Sequence, residues 1–353
     1  MRTVLSASGS RGDAEPLVAL AVRSAELGAA ARVCAAPAET SEERPAGAGV
    51  PLVPVGRSAR APTTAAPAPS SPPRRAADVI AARFETIPAV AEGGDMPAAA
   101  GRLGVRCVPV TFQRLTLPSP HRRPPVSHVR DHVTGDRPWP ATDPLLDPRR
   151  GAPGLDAVRT GAWTVPDERP LPERMEAFLD AGAPQLHVVF GSMPLHAPQD
   201  VARAAVEAVR AHGRRVLLAR RRAGLGPEDD RDDCPVVGEA HREALWRAGG
   251  RRRAPRRRGP HGRAGTTTAA ARAGAPQVVV VQAADRTYRA GRVTESGIGA
   301  AHDGPVPAAG SPAAALATAL APATRARAAE AARAVRADGA AVATRPLSGT
   351  AGR

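Results

Sequence analysis

The chain contains no lysine and no asparagine. All 49 of its basic residues are arginine, set against 34 acidic ones, for a formal net charge of +15. Arginine, alanine, glycine and proline have GC-rich codons, while lysine and asparagine have AT-rich ones. The bias therefore reads as a very GC-rich genome of the actinomycete kind. The other reading of so basic a chain is a nucleic-acid binder. Against that stands the scarcity of aromatics, 2% of the residues. None interleaves with the arginines to stack on bases. The arginines are dispersed except for one run between 247 and 263. Cysteine is scarce too. Cys34, Cys107 and Cys234 are odd in number and far apart, with no CxxC pair. That argues against a zinc site or disulfide framework and fits a reduced cytoplasm. The start of the chain has one arginine and then a mixed polar segment, not an apolar signal region. No stretch approaches ~18 apolar residues, so no membrane span is expected.

What is present suits a globular protein of two domains. The chain has 353 residues, of which 42% are apolar. With so few aromatics, cores built from alanine, valine and leucine are expected. Residues 2–7 read as a buried strand, 15–27 as a helix with Pro16 in its first turn and Gly28 as its stop, and 31–35 as a second strand. Val50 to Val55 is a further strand candidate. Residues 57–75 read as a loop, 76–92 as a helix, and 116–154 as a proline-rich loop or linker. A second α/β pattern follows. It has a strand at 185–190, a helix at 200–211, a strand at 216–218, a helix at 266–272, a strand at 278–281 and a late helix at 323–338. Strands alternating with helices in two blocks suggest two Rossmann-like domains.

Chemistry in such folds sits where a strand opens into a turn and a helix. Gly9-Ser10-Arg11-Gly12-Asp13 follows the apolar Val4-Leu5. Its turn frees backbone N–H groups, the helix start favours anions, and Asp13 supplies a carboxylate. The second block offers Phe190-Gly191-Ser192, then His261-Gly262-Arg263-Ala264-Gly265-Thr266-Thr267 leading into a helix, a pattern able to cradle a diphosphate. Asp285 follows a strand and is placed to hold sugar hydroxyls. Each has a plainer reading: a structural turn at 9–13, a capped helix at 265–267, a solvated loop acid at 285.

Taken together, several stretches resemble the glycopeptide-antibiotic glycosyltransferases, which act on vancomycin-type aglycones. They are Gly9–Asp13, Ala48-Gly-Val-Pro-Leu-Val-Pro-Val-Gly56, Thr160-Gly-Ala-Trp163, Asp167-Glu-Arg-Pro-Leu-Pro172 and Phe190-Gly-Ser192. Further on come Asp229-Asp-Arg-Asp-Asp-Cys234, Ala264-Gly-Thr266, Ala273-Gly-Ala-Pro-Gln277, Ala301-His-Asp-Gly-Pro305 and Leu320-Ala-Pro-Ala-Thr-Arg-Ala-Arg327. The resemblance implies an α/β, GT-B architecture, with an acceptor domain at 1–150, a nucleotide-sugar domain at 158–335 and a C-terminal tail at 336–353. It implies inverting transfer of a hexose from a UDP- or dTDP-sugar to an aglycone hydroxyl in antibiotic biosynthesis, in the cytoplasm, with no cofactor, nucleic acid or membrane span. Asp13 matches the general base. Ser10, Arg11, Gly12, Ser192, His261, Gly265 and Thr266 match donor-binding positions, and Asp285 matches the acid that holds the donor hexose.

The departures from that family are concentrated. Where it has an apolar strand and then a His-His-Gly-Gly motif, this chain reads Gly249-Gly-Arg-Arg-Arg-Ala-Pro-Arg-Arg-Arg-Gly-Pro-His261. Pro260 stands at the first histidine position and His261 at the second. A GC-rich coding string for Arg-Val-Ala-Ala-Val-Val-His-His-Gly-Gly, read two bases later, yields residues 249–257 of this chain. Residues 248 to about 260 are thus read as an out-of-frame stretch, a reading that the gene's nucleotides test. Unpaired buried charge is costly, so the run is expected as an expelled loop. Arg286 stands where glutamine is usual, and the N-terminal domain is short. These departures raise the alternative of a decayed homologue without transferase activity. An arginine-rich nucleic-acid binder is the remaining alternative.

Overall fold

The computed structural model describes residues 2–7, 11–35, 49–54, 108, 110–112, 138–148, 157–164, 170–181, 185–189, 198–219, 234–237, 245, 257–258, 264–280, 284–302 and 312–348. The expected loop at 57–75, the expected helix at 76–92 and the part of 116–154 outside 138–148 lie beyond the described residues. So does Cys107. The chain divides into two compact units. Unit 1 comprises 1–142, 149–165 and 337–353, and unit 2 comprises 143–148 and 166–336.

Unit 1 begins with β1 (Arg2–Ser6), α1 (Arg11–Glu26), β2 (Ala30–Ala35) and β3 (Leu52–Pro54), and its three strands form a parallel sheet in the order β1-β2-β3. Helix α1 covers that sheet because Ala14, Leu17, Val18 and Ala21 recur at helical spacing and are all buried. Each buried leucine or valine contributes about 1.5–3 kcal/mol. Gly28, at φ +76°, ends the helix, and its N–H donates to the Ala25 carbonyl at 2.9 Å. The helix starts earlier than the expected 15–27. Arg11, Gly12 and Asp13 form its first turn instead of the preceding loop, and Pro16 falls in the second turn. The physical cost is small. The first four N–H groups of a helix need no internal partner, an acidic residue suits its positive end, and Pro16 removes only the bond to the Gly12 carbonyl.

The short strands β4 (Val110–Thr111) and β5 (Trp139–Pro140) pair in parallel. The core of unit 1 is mostly alanine, valine and leucine, as expected, with two tryptophans added. Trp139 and Trp163 are both buried in the core of unit 1. The Trp163 indole packs edge-on against Phe112, with centroids 5.6 Å apart, and its Nε1 donates to Thr160 Oγ1 at 2.9 Å. The few aromatics are gathered where bulk is needed and a polar partner is at hand.

Unit 2 runs α2 (Glu173–Asp180), β6 (Gln185–Val189), α3 (Pro198–Arg210), β7 (Arg215–Ala219), β8 (Val236–Val237), β9 (Arg257–Arg258), α4 (Ala264–Arg272), β10 (Gln277–Val280), α5 (Ala284–Glu295), β11 (Gly299–His302), α6 (Pro312–Leu320) and α7 (Pro322–Ala334). Its six strands are all parallel, in the order β8-β7-β6-β9-β10-β11. Leu186, Val188, Val216, Leu218 and Val278 pack with Val206 and Val209 of α3 and Leu316 of α6. Val279 packs instead with Ala271 of α4, Val293 of α5 and Ala328 of α7. Helices on both faces explain why β10 is almost wholly apolar.

Strand β9 corrects the reading of an expelled loop at Arg257 and Arg258, while the rest of the arginine run lies outside the described residues. Arg257 stands opposite Leu186, and Arg258 stands between His187 and Gln277. The backbone accounts for this. Without a strand in that slot, the facing edges of β6 and β10 would leave buried N–H and C=O groups unpaired.

The last described element is α8 (Gly339–Ser348), a helix in unit 1 where a tail was expected. The late helix expected at 323–338 stops at Ala334. Ala340 and Ala343 of α8 join the core that holds Leu17 and Ala21. The helix begins on a glycine because its backbone meets the chain at 161–162. A Cβ on Gly339 would lie 2.4 Å from the Ala162 carbonyl oxygen. No helix among the described residues is long and apolar enough to cross a membrane. Cys34 and Cys234 are buried thiols, the first in unit 1 and the second in unit 2.

Candidate functional site

In unit 2 the chain winds outward twice from the middle of the sheet. From β6 it proceeds through β7 to β8 on one side, and from β9 through β10 to β11 on the other. Strands β6 and β9 are therefore neighbours whose following connections diverge. In open parallel sheets, ligands bind outside the carboxyl ends of the strands at such a switch point.

The residues that the sequence singles out follow the carboxyl ends of β6, β9 and β10. Ser192 lies between β6 and α3, and His261 between β9 and α4. Both are outside the described residues. Gly265 and Thr266 are the second and third residues of α4, so they lie among the open N–H groups of its first turn. Gly265 is exposed and Thr266 half-buried. Asp285 is the second residue of α5, following β10, and so sits in a helical first turn and not in a loop. In unit 1, Ser10 is outside the described residues. Arg11, Gly12 and Asp13 open α1 after β1, again at a strand's carboxyl end.

One residue that holds this site in place was given no role of its own by the sequence, although it closes the Ala273-Gly-Ala-Pro-Gln277 stretch. Gln277, buried at the start of β10, donates from Nε2 to the Thr267 carbonyl at 3.2 Å. It ties the first turn of α4 to the sheet. The available signal was an amide side chain opening a run of valines. The buried polar contact at Arg215 has another character. Its Nη1 donates to the Phe178 carbonyl at 2.6 Å, and its guanidinium lies 4.3 Å from the Phe178 ring centroid. Burial pushes its pKa below the ordinary arginine value. Arg215 opens β7, at the amino end of the strands and away from the candidate site at their carboxyl ends, and it fastens α2 to the sheet.

Vancomycin aglycone glucosyltransferase of Amycolatopsis orientalis is 44% identical to this chain over 405 aligned positions, covering 98% of this chain and 97% of the relative. The chain belongs to the glycopeptide-antibiotic glycosyltransferases. The dTDP-epi-vancosaminyltransferase of the same organism is 43% identical, covering 93% of this chain and 92% of that protein. The 405 aligned positions exceed the 353 residues here, so the relative carries segments without a counterpart in this chain. Residues 260–347 match the family model of the erythromycin biosynthesis protein CIII-like C-terminal domain. That match begins at the C-terminal end of the arginine run. Among solved structures, the calicheamicin glycosyltransferase CalG4 superposes with a TM-score of 0.68 at 19% identity, covering 100% of both chains. The glycosyltransferase VinC, solved in complex with dTDP, gives a TM-score of 0.65 at 19% identity, covering 98% of this chain and 100% of that one. The fold is GT-B and the enzyme is a glycosyltransferase. The alternative of a decayed homologue finds no support among these relatives.

Proposed function

We propose that the protein transfers a hexose from a UDP- or dTDP-sugar to a hydroxyl of a glycopeptide antibiotic aglycone, with inversion at the anomeric carbon. The similarity to a vancomycin aglycone glucosyltransferase across nearly the whole chain carries this reading. Asp13 acts as the base. It takes the proton of the acceptor hydroxyl as that oxygen attacks the anomeric carbon from the face opposite the diphosphate. The transition state has oxocarbenium character. The bond to the diphosphate breaks with its electrons, and negative charge grows on the leaving nucleoside diphosphate. The open N–H groups of α4 stabilise that charge together with Gly265, Thr266, Ser192 and His261, and Ser10, Arg11 and Gly12 are also assigned to the donor. Asp285 holds the hexose. No cofactor or metal enters the scheme. Nucleotide sugars are made in the cytoplasm, and the reaction is placed there.

The test is direct. Purified protein is incubated with UDP-glucose or a dTDP-sugar and a vancomycin-type aglycone, and the product is followed by mass spectrometry. A gain of one hexose is expected, with the new linkage inverted. Asp13→Asn should lower kcat by roughly 10²–10⁴-fold, the usual contribution of a general base. Unchanged turnover in that variant would remove Asp13 from the role. The absence of product with every donor would overturn the function.

A further inference from the structure

Residues 143–148 are a short excursion of the chain into unit 2, flanked on both sides by segments of unit 1. The excursion is rigidly held. Asp143 is 1% exposed. Its Oδ1 accepts the Leu145 N–H at 2.9 Å, its Oδ2 accepts the Arg336 N–H at 2.9 Å, and its carbonyl accepts the Asp147 N–H at 2.8 Å. One carboxylate thus closes the loop on itself and pins it to the chain beyond α7. Leu146 is buried in the cluster that contains Ala290 and Val293 of α5.

The same excursion grips α5 by two polar contacts. The Tyr288 hydroxyl donates to Asp147 Oδ1 at 2.9 Å, and Arg292 Nη2 donates to the Leu145 carbonyl at 3.0 Å. Tyr288 and Arg292 are four residues apart and share one helix face. Asp285 lies one helical turn before Tyr288. A buried cluster and two hydrogen bonds therefore fix the axial position of the helix that carries Asp285 in its first turn.

We propose that 143–148 is a brace for α5, and that Tyr288 and Asp147 are positioning residues for the donor hexose, acting through Asp285. The inference rests on the donor-site reading of Asp285 given above. Its chemistry is specific. A brace that sets Asp285 affects recognition of the sugar, while the nucleoside diphosphate, held at α4, is bound as before.

The experiment compares full-length Tyr288→Phe, Asp147→Ala and Asp147→Asn with the parent and with Asp285→Ala. Calorimetry gives Kd for UDP-glucose and dTDP-glucose and for UDP and dTDP alone, and initial rates give KM for donor and acceptor. Tyr288→Phe and Asp147→Ala should each weaken nucleotide-sugar binding roughly two- to tenfold, the net effect of one hydrogen bond. Binding of the bare nucleoside diphosphates and KM for the acceptor should not move. Asp147→Asn keeps an acceptor oxygen and should retain most of the affinity. Equal weakening of sugar and bare nucleotide would mean general loosening of the unit and would overturn the proposal. So would unchanged sugar affinity in Tyr288→Phe where Asp285→Ala loses it. If the parent binds UDP-glucose and dTDP-glucose no differently from UDP and dTDP, and Asp285→Ala changes nothing, the donor reading of Asp285 falls and the brace falls with it.

Discussion

Replacing Arg257 by valine should stabilise the protein. Arg257 stands in β9, in register with Leu186, which is itself opposite Val216 in β7. Leu186 is 1% exposed and Val216 is fully buried. The row is interior on the β6 side, and β9 itself lies between β6 and β10 in the middle of six strands. A valine in such a row is shielded from water and contributes about 2 kcal/mol. It also suits the pleated backbone better than arginine does. In a unit of this size each kcal/mol moves the thermal midpoint by ~2–4 °C, so a rise of ~4–8 °C is expected. Differential scanning calorimetry of the full-length Arg257→Val protein reads the shift. The reasoning also fixes the sign for a second variant: Arg257→Asp places a shorter charged side chain in the same row and should lower the midpoint. An unchanged or lower midpoint in the valine variant would refute the claim that β9 fills an interior slot.

Two further stability effects follow from local geometry. Gly339→Ala places a methyl group 2.4 Å from the Ala162 carbonyl oxygen, where backbone faces backbone. It should destabilise unit 1 by about 1–3 kcal/mol in urea denaturation, and a neutral result would mean that α8 is not seated on 161–162. Thr267 is 1% exposed and its hydroxyl has no hydrogen-bond partner among the described residues. Thr267→Val keeps the shape and removes a buried polar group, so it should stabilise by about 1 kcal/mol. A loss of stability would show instead that the hydroxyl is engaged.

Where apolar side chains decide an element, the sequence announces it. Strands β1, β6 and β10 are apolar runs, and α3 shows Ala202, Ala205, Val206 and Val209 at helical spacing. Those elements lie within a residue or two of their expected places. Strand β9 carries no apolar signal at all. Its state is imposed by the backbone needs of β6 and β10, which no local reading of an arginine run detects. Helix α5 was missed because arginine recurs along it, although Arg289 is buried there and only residues such as Ala290 and Val293 give an apolar signal. Helix α8 reads as a tail because its small residues pack against segments distant in sequence, α1 and the chain near 139–163. The candidate site was legible in outline, as strand exits with glycine, hydroxyl and acidic residues. Its supports were not. The contact from Tyr288 to Asp147 spans 141 residues of sequence, and only folding brings the two together.

The return of α8 to unit 1 also sets the order in which the protein is made. The strands β1 to β3 and the apolar face of α1 leave the ribosome well before Ala340 and Ala343, which complete their core. By then every strand of the unit 2 sheet has been synthesised. Independent units usually mature from the N-terminus onward. Here unit 1 starts before unit 2 and closes after it, and it stands on a partial core until α8 has been made. A premature stop anywhere before residue 339 therefore damages the beginning of the chain, not only its end.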